Sequence, residues 1–276
     1  MRKVLVNGAA IPVIGCGTWT LKGEACAELV ADALSLGYRH LDTGSTYENE
    51  DAVGEGLRHS GVPRDDVFVT TKVWLTDIGP GDLEKSAERS LERLGLDVID
   101  LLLIHWPNPA IPLADSIKAL NRARNLGIAR HIGVSNFPSH MVADAVGLSD
   151  GPLVANQVEY HPYLDQSKVY ASCRKAGMAM VAYAPLGSGQ ALFQEPVIEE
   201  VSKRHQKSPV QIVLRWHIQQ ENVVAIPRAE RREWLAENID IFDFELSNEE
   251  MAAIAQLRSR NIRIYDRDYA PAWDTP

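Results

Sequence analysis

Ile99-Asp100-Leu101-Leu102-Leu103-Ile104-His105-Trp106-Pro107 is a short apolar run that stops at a histidine, a tryptophan and a proline. A continuous run of this kind reads as a strand buried on both faces. Pro107 has no N–H to give to a ladder, so the strand ends before it. His105 then stands at the carboxyl end of a buried parallel strand. In an α/β barrel that end is where chemistry is done.

Reading outward, the same unit recurs on both sides. Val4-Leu5-Val6 and Ala9-Ala10-Ile11 flank Asn7-Gly8, a two-residue hairpin signal. Short strands are expected at Val13–Thr18, Tyr38–Asp42, Val67–Lys72, His131–Ser135, Val154–Glu159, Met178–Tyr183 and Asn222–Pro227. Helical spacing is expected over Glu24–Ser35, Asn49–His59, Leu113–Leu126, Gln166–Ala176, Glu195–His205 and Pro209–Gln219. A further helix is capped by Asp82, and a final one over Ser247–Arg258 opens with a Ser247/Glu250 capping box. Eight strand-helix units make an α/β fold, a (β/α)8 TIM barrel, with the hairpin closing its bottom and residues 1–276 forming one domain. The polar tail after Arg258 is expected to lie across the top, with Trp273 as its contact with the mouth.

Composition narrows the function. Of 276 residues 45% are hydrophobic and the net charge is −9. This balance argues against a nucleic-acid or anionic-membrane partner and leaves small molecules. No apolar run approaches the ~20 residues of a membrane helix. Cys16, Cys26 and Cys173 match no metal pattern and read as buried free thiols in a reducing cytoplasm. No long exposed apolar stripe calls for a partner, so a monomer is expected.

Consecutive strands end in Asp42, Lys72, His105, Ser135-Asn136, Gln157 and Tyr183. One polar strand end is unremarkable surface, but a barrel brings all of them to one mouth. Tyr47 lies on the loop above Asp42. A phenol has a pKa of ~10, and a neighbouring ammonium is expected to lower it and make it a better acid. Asp42 would hold Lys72 charged, and His105 would orient a carbonyl by hydrogen bonding.

Seven motifs carry a resemblance: Gly15-Cys16-Gly17-Thr18-Trp19, Leu41-Asp42-Thr43-Gly44-Ser45-Thr46-Tyr47, Thr71-Lys72-Val73-Trp74, Ile104-His105-Trp106-Pro107, Gly133-Val134-Ser135-Asn136-Phe137, Asn156-Gln157-Val158-Glu159-Tyr160-His161-Pro162 and Tyr183-Ala184-Pro185-Leu186-Gly187. Together they resemble the aldo-keto reductases, and within them the short bacterial reductases of 2,5-diketogluconate and methylglyoxal. The resemblance implies a catalytic tetrad of Asp42, Tyr47, Lys72 and His105, with Tyr47 protonating the carbonyl oxygen as nicotinamide delivers hydride. It implies that Tyr183 stacks on nicotinamide and that Ser135, Asn136 and Gln157 bond its carboxamide. Leu186, Gly187 and Ser188 would lie along the pyrophosphate, and Gly17, Thr18, Asp42, Ala184 and Ile226 complete the cofactor contacts. Trp19, Trp74 and Trp106, with Tyr47 and His105, would wall the substrate pocket. No G-x-G-x-x-G follows a strand, so the site is not a Rossmann one.

The chain departs from the family where the adenosine phosphate binds. The family pattern has Lys-Ser after the proline and an arginine six residues beyond that lysine. Here the segment reads Pro227-Arg228-Ala229, then Trp234 and Glu237-Asn238. Arg228 can still grip a phosphate, Trp234 can stack on adenine, and Arg231 and Arg232 stand nearby. NADPH is favoured and NADH stays open. The short loop Asn108–Pro112 suggests an open site for small polar carbonyls. The leading expectation is a reductase of small aldehydes, α-dicarbonyls or keto-sugars. Its competitors are an NADH-preferring alcohol or sugar dehydrogenase, a nucleotide-sensing subunit, and a metal hydrolase built on Asp42 and His105. The lysine in the cluster disfavours a metal.

Overall fold

The computed structural model describes residues 1–187 and 189–275. The chain opens with a hairpin, β1 (Lys3–Val6) and β2 (Ala9–Pro12). Asn7 and Gly8 both take positive φ, 46° and 85°, as a tight primed turn requires. The Asn7 side-chain amide donates to the carbonyls of Leu153 and Ala176, at 2.7 and 3.0 Å. Those residues start one strand and precede the next, so the hairpin sits at the amino-terminal end of the barrel.

The barrel strands are β3 (Cys16–Gly17), β4 (His40–Asp42), β5 (Phe68–Val73), β6 (Ile99–Ile104), β7 (Ala129–Ser135), β8 (Leu153–Glu159), β9 (Ala179–Tyr183) and β10 (Val223–Ala225). They pair in parallel, in chain order. Gly15 N donates to Ala225 O and Ala225 N to Val13 O, both at 2.9 Å, and Gly17 N donates to Pro227 O at 3.1 Å. These bonds join the first strand to the last and close the (β/α)8 barrel.

The helices are α1 (Gly23–Ser35), α2 (Glu50–His59), α3 (Asp82–Leu94), α4 (Leu113–Asn125), α5 (Ser139–Leu148), α6 (Ser167–Lys175), the short α7 (Gln190–Phe193), α8 (Pro196–His205), α9 (Pro209–Gln219), α10 (Arg232–Ile239) and α11 (Asn248–Ala255). Three were not legible in the sequence. In α5 Val146 and Leu148 are exposed beside buried Val142 and Ala145, and in α10 Trp234 is exposed beside buried Leu235, so the apolar residues of neither helix fall on one face. The third, α7, is a single turn. Two boundaries differ as well. Gly81, not Asp82, is the cap of α3, and its N–H is taken by Glu84 at 2.7 Å. The last helix stops at Ala255 and tightens into a 3₁₀ turn over Gln256–Arg260, although its Ser247/Glu250 box is as expected. Among the described residues, no helix is long and apolar enough to cross a membrane.

Strand alternation delivers the polar side chains to the mouth. Along β6, Leu101 and Leu103 pack with Leu41, Ala155 and Val181 inside the barrel. Leu102 and Ile104 pack outward with Ala87, Ile117 and Leu120 of the helices. The same parity turns His105 inward. Along β5, the Thr71 hydroxyl bonds Glu50 of α2 at 2.5 Å, and the Thr70 hydroxyl meets His40 of β4 at 3.0 Å. Lys72 shares the inner face with Thr70.

The seam leaves no room for a side chain at Gly17, where a Cβ would lie 2.8 Å from the Ile226 carbonyl. Gly17→Ala should cost about 1–3 kcal/mol, read as a lower midpoint in urea unfolding. An unchanged midpoint would mean that the seam can yield to a methyl.

Candidate active site

Asp42 is the last residue of β4, Lys72 lies one residue before the end of β5, and His105 follows β6. Tyr47 is carried above them by a 3₁₀ turn over Ser45–Tyr47. Lys72 Nζ donates to Asp42 Oδ1 at 2.6 Å, to the Thr43 carbonyl at 2.5 Å and to the Tyr47 hydroxyl at 3.2 Å. Gln157 Nε2 donates to the other Asp42 oxygen at 2.7 Å. The Tyr47 and His105 rings meet edge to face at 5.7 Å, and Trp74 meets His105 at 5.2 Å. A metal at Asp42 would have to displace the ammonium bonded to it, which weighs against the hydrolase alternative.

The electrostatics depart from expectation at one point. Burial and the Asp42 charge push the Tyr47 phenol up, and the Lys72 ammonium only partly offsets them, so its pKa rises above the ordinary value. Burial opposes the Lys72 charge, but Asp42 overcomes it and the ammonium is held more firmly than usual. Burial and the Lys72 charge drive His105 well below the ordinary imidazole value. The site therefore holds a protonated phenol, a charged lysine and a neutral imidazole.

A cavity of about 390 Å³ opens over this cluster. Trp19, Trp74 and Trp106 wall it, together with Asn136, Gln157 and Tyr183. Gly17, Thr18, Ala184, Leu186, Gly187, Ile226 and Arg228 continue the lining. Thr18 spends its hydroxyl on the Asp42 carbonyl, at 2.9 Å. Ser135 does not reach the lining; it is buried beneath, donating to the Gln157 carbonyl at 2.8 Å. Ala229 and Asn238 are buried, while Glu237 and the exposed Trp234 sit on α10; none of these four lines the cavity. Ser188 lies outside the described residues.

Several features fit a nicotinamide dinucleotide. Tyr183 offers a ring face, oriented by its hydroxyl bond to Asn136 Oδ1 at 2.8 Å. Gln157 keeps its carbonyl oxygen for a ligand amide. Asn136 and Ala184, the residues after β7 and β9, take positive φ of 62° and 47°. Both residues line the cavity. A Cβ on Gly187 would lie 3.3 Å from the His161 ring, so the loop is drawn close to the wall.

The family model described as Aldo/keto reductase family matches residues 13–259. The chain belongs to the aldo-keto reductase family. A glyoxal reductase of Bacillus subtilis is 41% identical over 92% of this chain and 91% of its own length. A crystal structure assigned to 2,5-diketo-D-gluconic acid reductase B superposes with a TM-score of 0.96 at 43% identity, covering 100% of this chain and 98% of that one. A Bombyx mori aldo-keto reductase in complex with NADP superposes at 0.90 with 34% identity, over 96% and 94% of the two chains. The chain is thus an oxidoreductase of a family that uses a nicotinamide cofactor.

The tail of this reductase does cross the mouth, and Trp273 touches its wall at Trp106 without entering the cavity. That ring meets the edge of Trp106 at 6.0 Å, yet it is held outside the cavity by Arg263, stacked at 3.8 Å, and by its N–H bond to Asp266 at 2.9 Å. Tyr265, Arg267 and Tyr269 line the cavity instead. Their anchor is Glu159, fully buried at the end of β8, whose carboxylate accepts from the backbone N–H groups of Ile264 and Tyr265 at 2.7 and 2.8 Å. Nothing in the tail's own pattern marks these residues; only the aromatic spacing Tyr265/Tyr269 hints at a shared face.

Two fully buried histidines and half-buried His105 make the reductase acid-sensitive. Burial holds His40 down to about 4 and His217 to about 3, and His105 is also depressed. Above about pH 6.5 neither the folded nor the unfolded chain protonates them. Below that, the unfolded chain takes up protons that the folded one refuses, until the pH reaches each folded value. Stability should fall as the pH drops from about 6.5 to about 4, by up to about 1.4 kcal/mol per pH unit for each histidine. Chemical unfolding at stepped pH measures the slope, and a flat profile would contradict the neutral assignment.

Proposed function

We propose that the protein reduces small aldehydes, α-dicarbonyls or keto-sugars to alcohols with NADPH, using Tyr47 as the general acid. The observation that carries this reading is Lys72 Nζ, which joins the Asp42 carboxylate to the Tyr47 hydroxyl at the cavity floor. Tyr183, Asn136 and Gln157 would hold a nicotinamide, and bound there it would supply hydride to the carbonyl carbon. Tyr47 keeps its proton until the carbonyl oxygen arrives, because burial disfavours the phenolate. As the proton leaves Tyr47 Oη, the Lys72 ammonium 3.2 Å away stabilises the anion that forms. Asp42, Thr43 and Gln157 keep that ammonium in place. Neutral His105 is free to donate a ring N–H to the same carbonyl oxygen. Trp19, Trp74 and Trp106 exclude water and set the pocket's width. The Bacillus subtilis relative, a glyoxal reductase, supports an α-dicarbonyl substrate.

The cofactor preference rests on three arginines. Arg228 lines the cavity but also pairs with Glu230 at 2.8 Å and bonds the Thr20 hydroxyl. Arg232 is committed to Asp32, and to Ser35 at 3.1 Å. Arg231 makes no ion pair among the described residues and stacks over Trp234 at 5.2 Å. Arg231 is thus the cation available to a 2′-phosphate, with Trp234 for adenine. The same reading places a monomeric enzyme in the reducing cytoplasm, where Cys16, Cys26 and Cys173 stay free and buried.

Tyr47→Phe should lower kcat for methylglyoxal by about 10²–10⁴, while NADPH still quenches tryptophan fluorescence at nearly the same concentration; near-normal turnover would remove Tyr47 from the acid role. Trp234→Arg should tighten NADPH about tenfold. An equal gain for NADH would mean that the residue touches the adenosine without reading its phosphate.

A further inference from the structure

A second cavity, of about 280 Å³, lies in the helix shell. It opens between the loop that leads from β8 into α6, the end of α9, and α11 with the 3₁₀ turn that follows it. None of its lining residues lines the cavity over Tyr47. Helix shells normally pack to the density of an organic crystal, and a space this large approaches the size of a small-ligand pocket.

Its wall is aromatic. The rings of Tyr160 and Trp216 lie 5.3 Å apart, tilted by 42°, and both are buried. Leu164 and Met251 extend the apolar surface. The polar atoms of the wall are already bonded. The Tyr160 hydroxyl donates to Gln220 Oε1 at 2.8 Å, and Gln220 Nε2 to the Trp216 carbonyl at 3.1 Å. Trp216 Nε1 donates to the Met251 carbonyl at 3.3 Å, and the Tyr170 hydroxyl to the Glu221 carbonyl at 2.9 Å. The wall therefore offers ring surface, which suits a flat apolar group.

The lining also carries two opposite charges that do not touch. Asp165 and Arg258 both face the cavity, and neither makes an ion pair among the described residues. Asp165 Oδ1 accepts the Ser167 N–H at 2.9 Å. Burial opposes the Asp165 charge, but bonds from Ser167 and the charges of Arg258 and Lys168 keep its carboxyl below the ordinary value. Lys168 itself donates to the Thr275 carbonyl at 2.6 Å. An anion placed here would be repelled by Asp165 and a cation by Arg258. A ligand that carries both charges satisfies both residues.

We infer that this cavity binds a small aromatic zwitterion of the α-amino acid type, with its ring on Tyr160 and Trp216, its carboxylate on Arg258 and its ammonium on Asp165. The site is separate from the reductase chemistry, so binding is measurable independently of turnover.

Isothermal titration calorimetry with L-phenylalanine tests it. A Kd of about 1 mM or tighter is expected for a ligand of this size. Phenethylamine and 3-phenylpropionate each lack one of the two charges and should bind about tenfold more weakly or worse. L-Phenylalanine should lose a similar factor on Arg258→Gln and on Asp165→Asn, both changes at partly or fully exposed side chains. Ala252→Phe, which fills the cavity from the exposed side of α11, should abolish binding while NADPH still quenches tryptophan fluorescence as in the wild type. Saturating NADPH should leave the Kd for L-phenylalanine unchanged. No binding at about tenfold the expected Kd overturns the inference. So does an unchanged Kd in both charge variants, or 3-phenylpropionate binding as tightly as L-phenylalanine. Displacement of L-phenylalanine by NADPH would place the ligand in the mouth of the barrel and overturn the second site.

Discussion

Lys72 carries a full charge at a side chain with no exposed surface, and much of the mouth is arranged around that fact. An unpaired ammonium in such a place would be strongly destabilising. It is satisfied instead by a carboxylate, a backbone carbonyl and a phenol, contributed by β4, the loop above it and the 3₁₀ turn. The carboxylate is satisfied in turn by Gln157, which comes from β8 across the barrel. The cluster forms only if the sheet closes to hydrogen-bonding tolerance. That closure depends on backbone contact at Gly15 and Gly17, where no side chain intervenes.

The same ion pair decides the protonation of the phenol. Two opposing influences act on Tyr47: the ammonium favours phenolate, whereas burial and the Asp42 charge oppose it. Because Asp42 already neutralises Lys72, the ammonium acts mostly as half of a dipole, and burial prevails. The result is a proton donor that stays loaded at neutral pH beside a cation ready for the anion it leaves. A pKa above the ordinary value makes the phenol a weaker acid in the resting site, and the adjacent ammonium offsets that as the proton departs. His105, neutral for related reasons, can donate a hydrogen bond without adding charge to the site.

Above the cluster, the tail is part of the pocket and not a loose covering. Glu159 converts a buried carboxylate into an anchor for backbone N–H groups, and two tyrosines tie the crossing to opposite walls. The mouth is thereby divided: the cradle around Tyr183 and Ala184 with Trp19 on one side, Trp74 and Trp106 on the other, and Arg267 between them. At the outer end of the cradle, ion pairing with Glu230 and Asp32 occupies two of the three arginines. The count of basic residues there overstates the charge available to a phosphate.

The sequence alone determined the barrel, the hairpin beneath it and the convergence of Asp42, Lys72, His105, Asn136, Gln157 and Tyr183 on one mouth. These are set by short-range rules: apolar runs ended by polar residues, a turn dipeptide, and parity along a strand. Helices α5 and α10 escaped notice because their apolar residues are split between buried and exposed faces, Val146 and Leu148 in one and Trp234 in the other, and periodicity needs a stripe to show. Tertiary structure alone decided the direction of the Tyr47 shift, since burial has no signature in a motif while a neighbouring lysine does. It also decided which tail residues enter the cavity. Tyr265, Arg267 and Tyr269 are placed there by bonds to Glu159, more than 100 positions away in the chain. Trp273, the most conspicuous residue of the tail, is kept outside by Arg263 and Asp266. Contacts between segments so far apart are fixed by the closed barrel that brings them together, and local pattern carries no record of them.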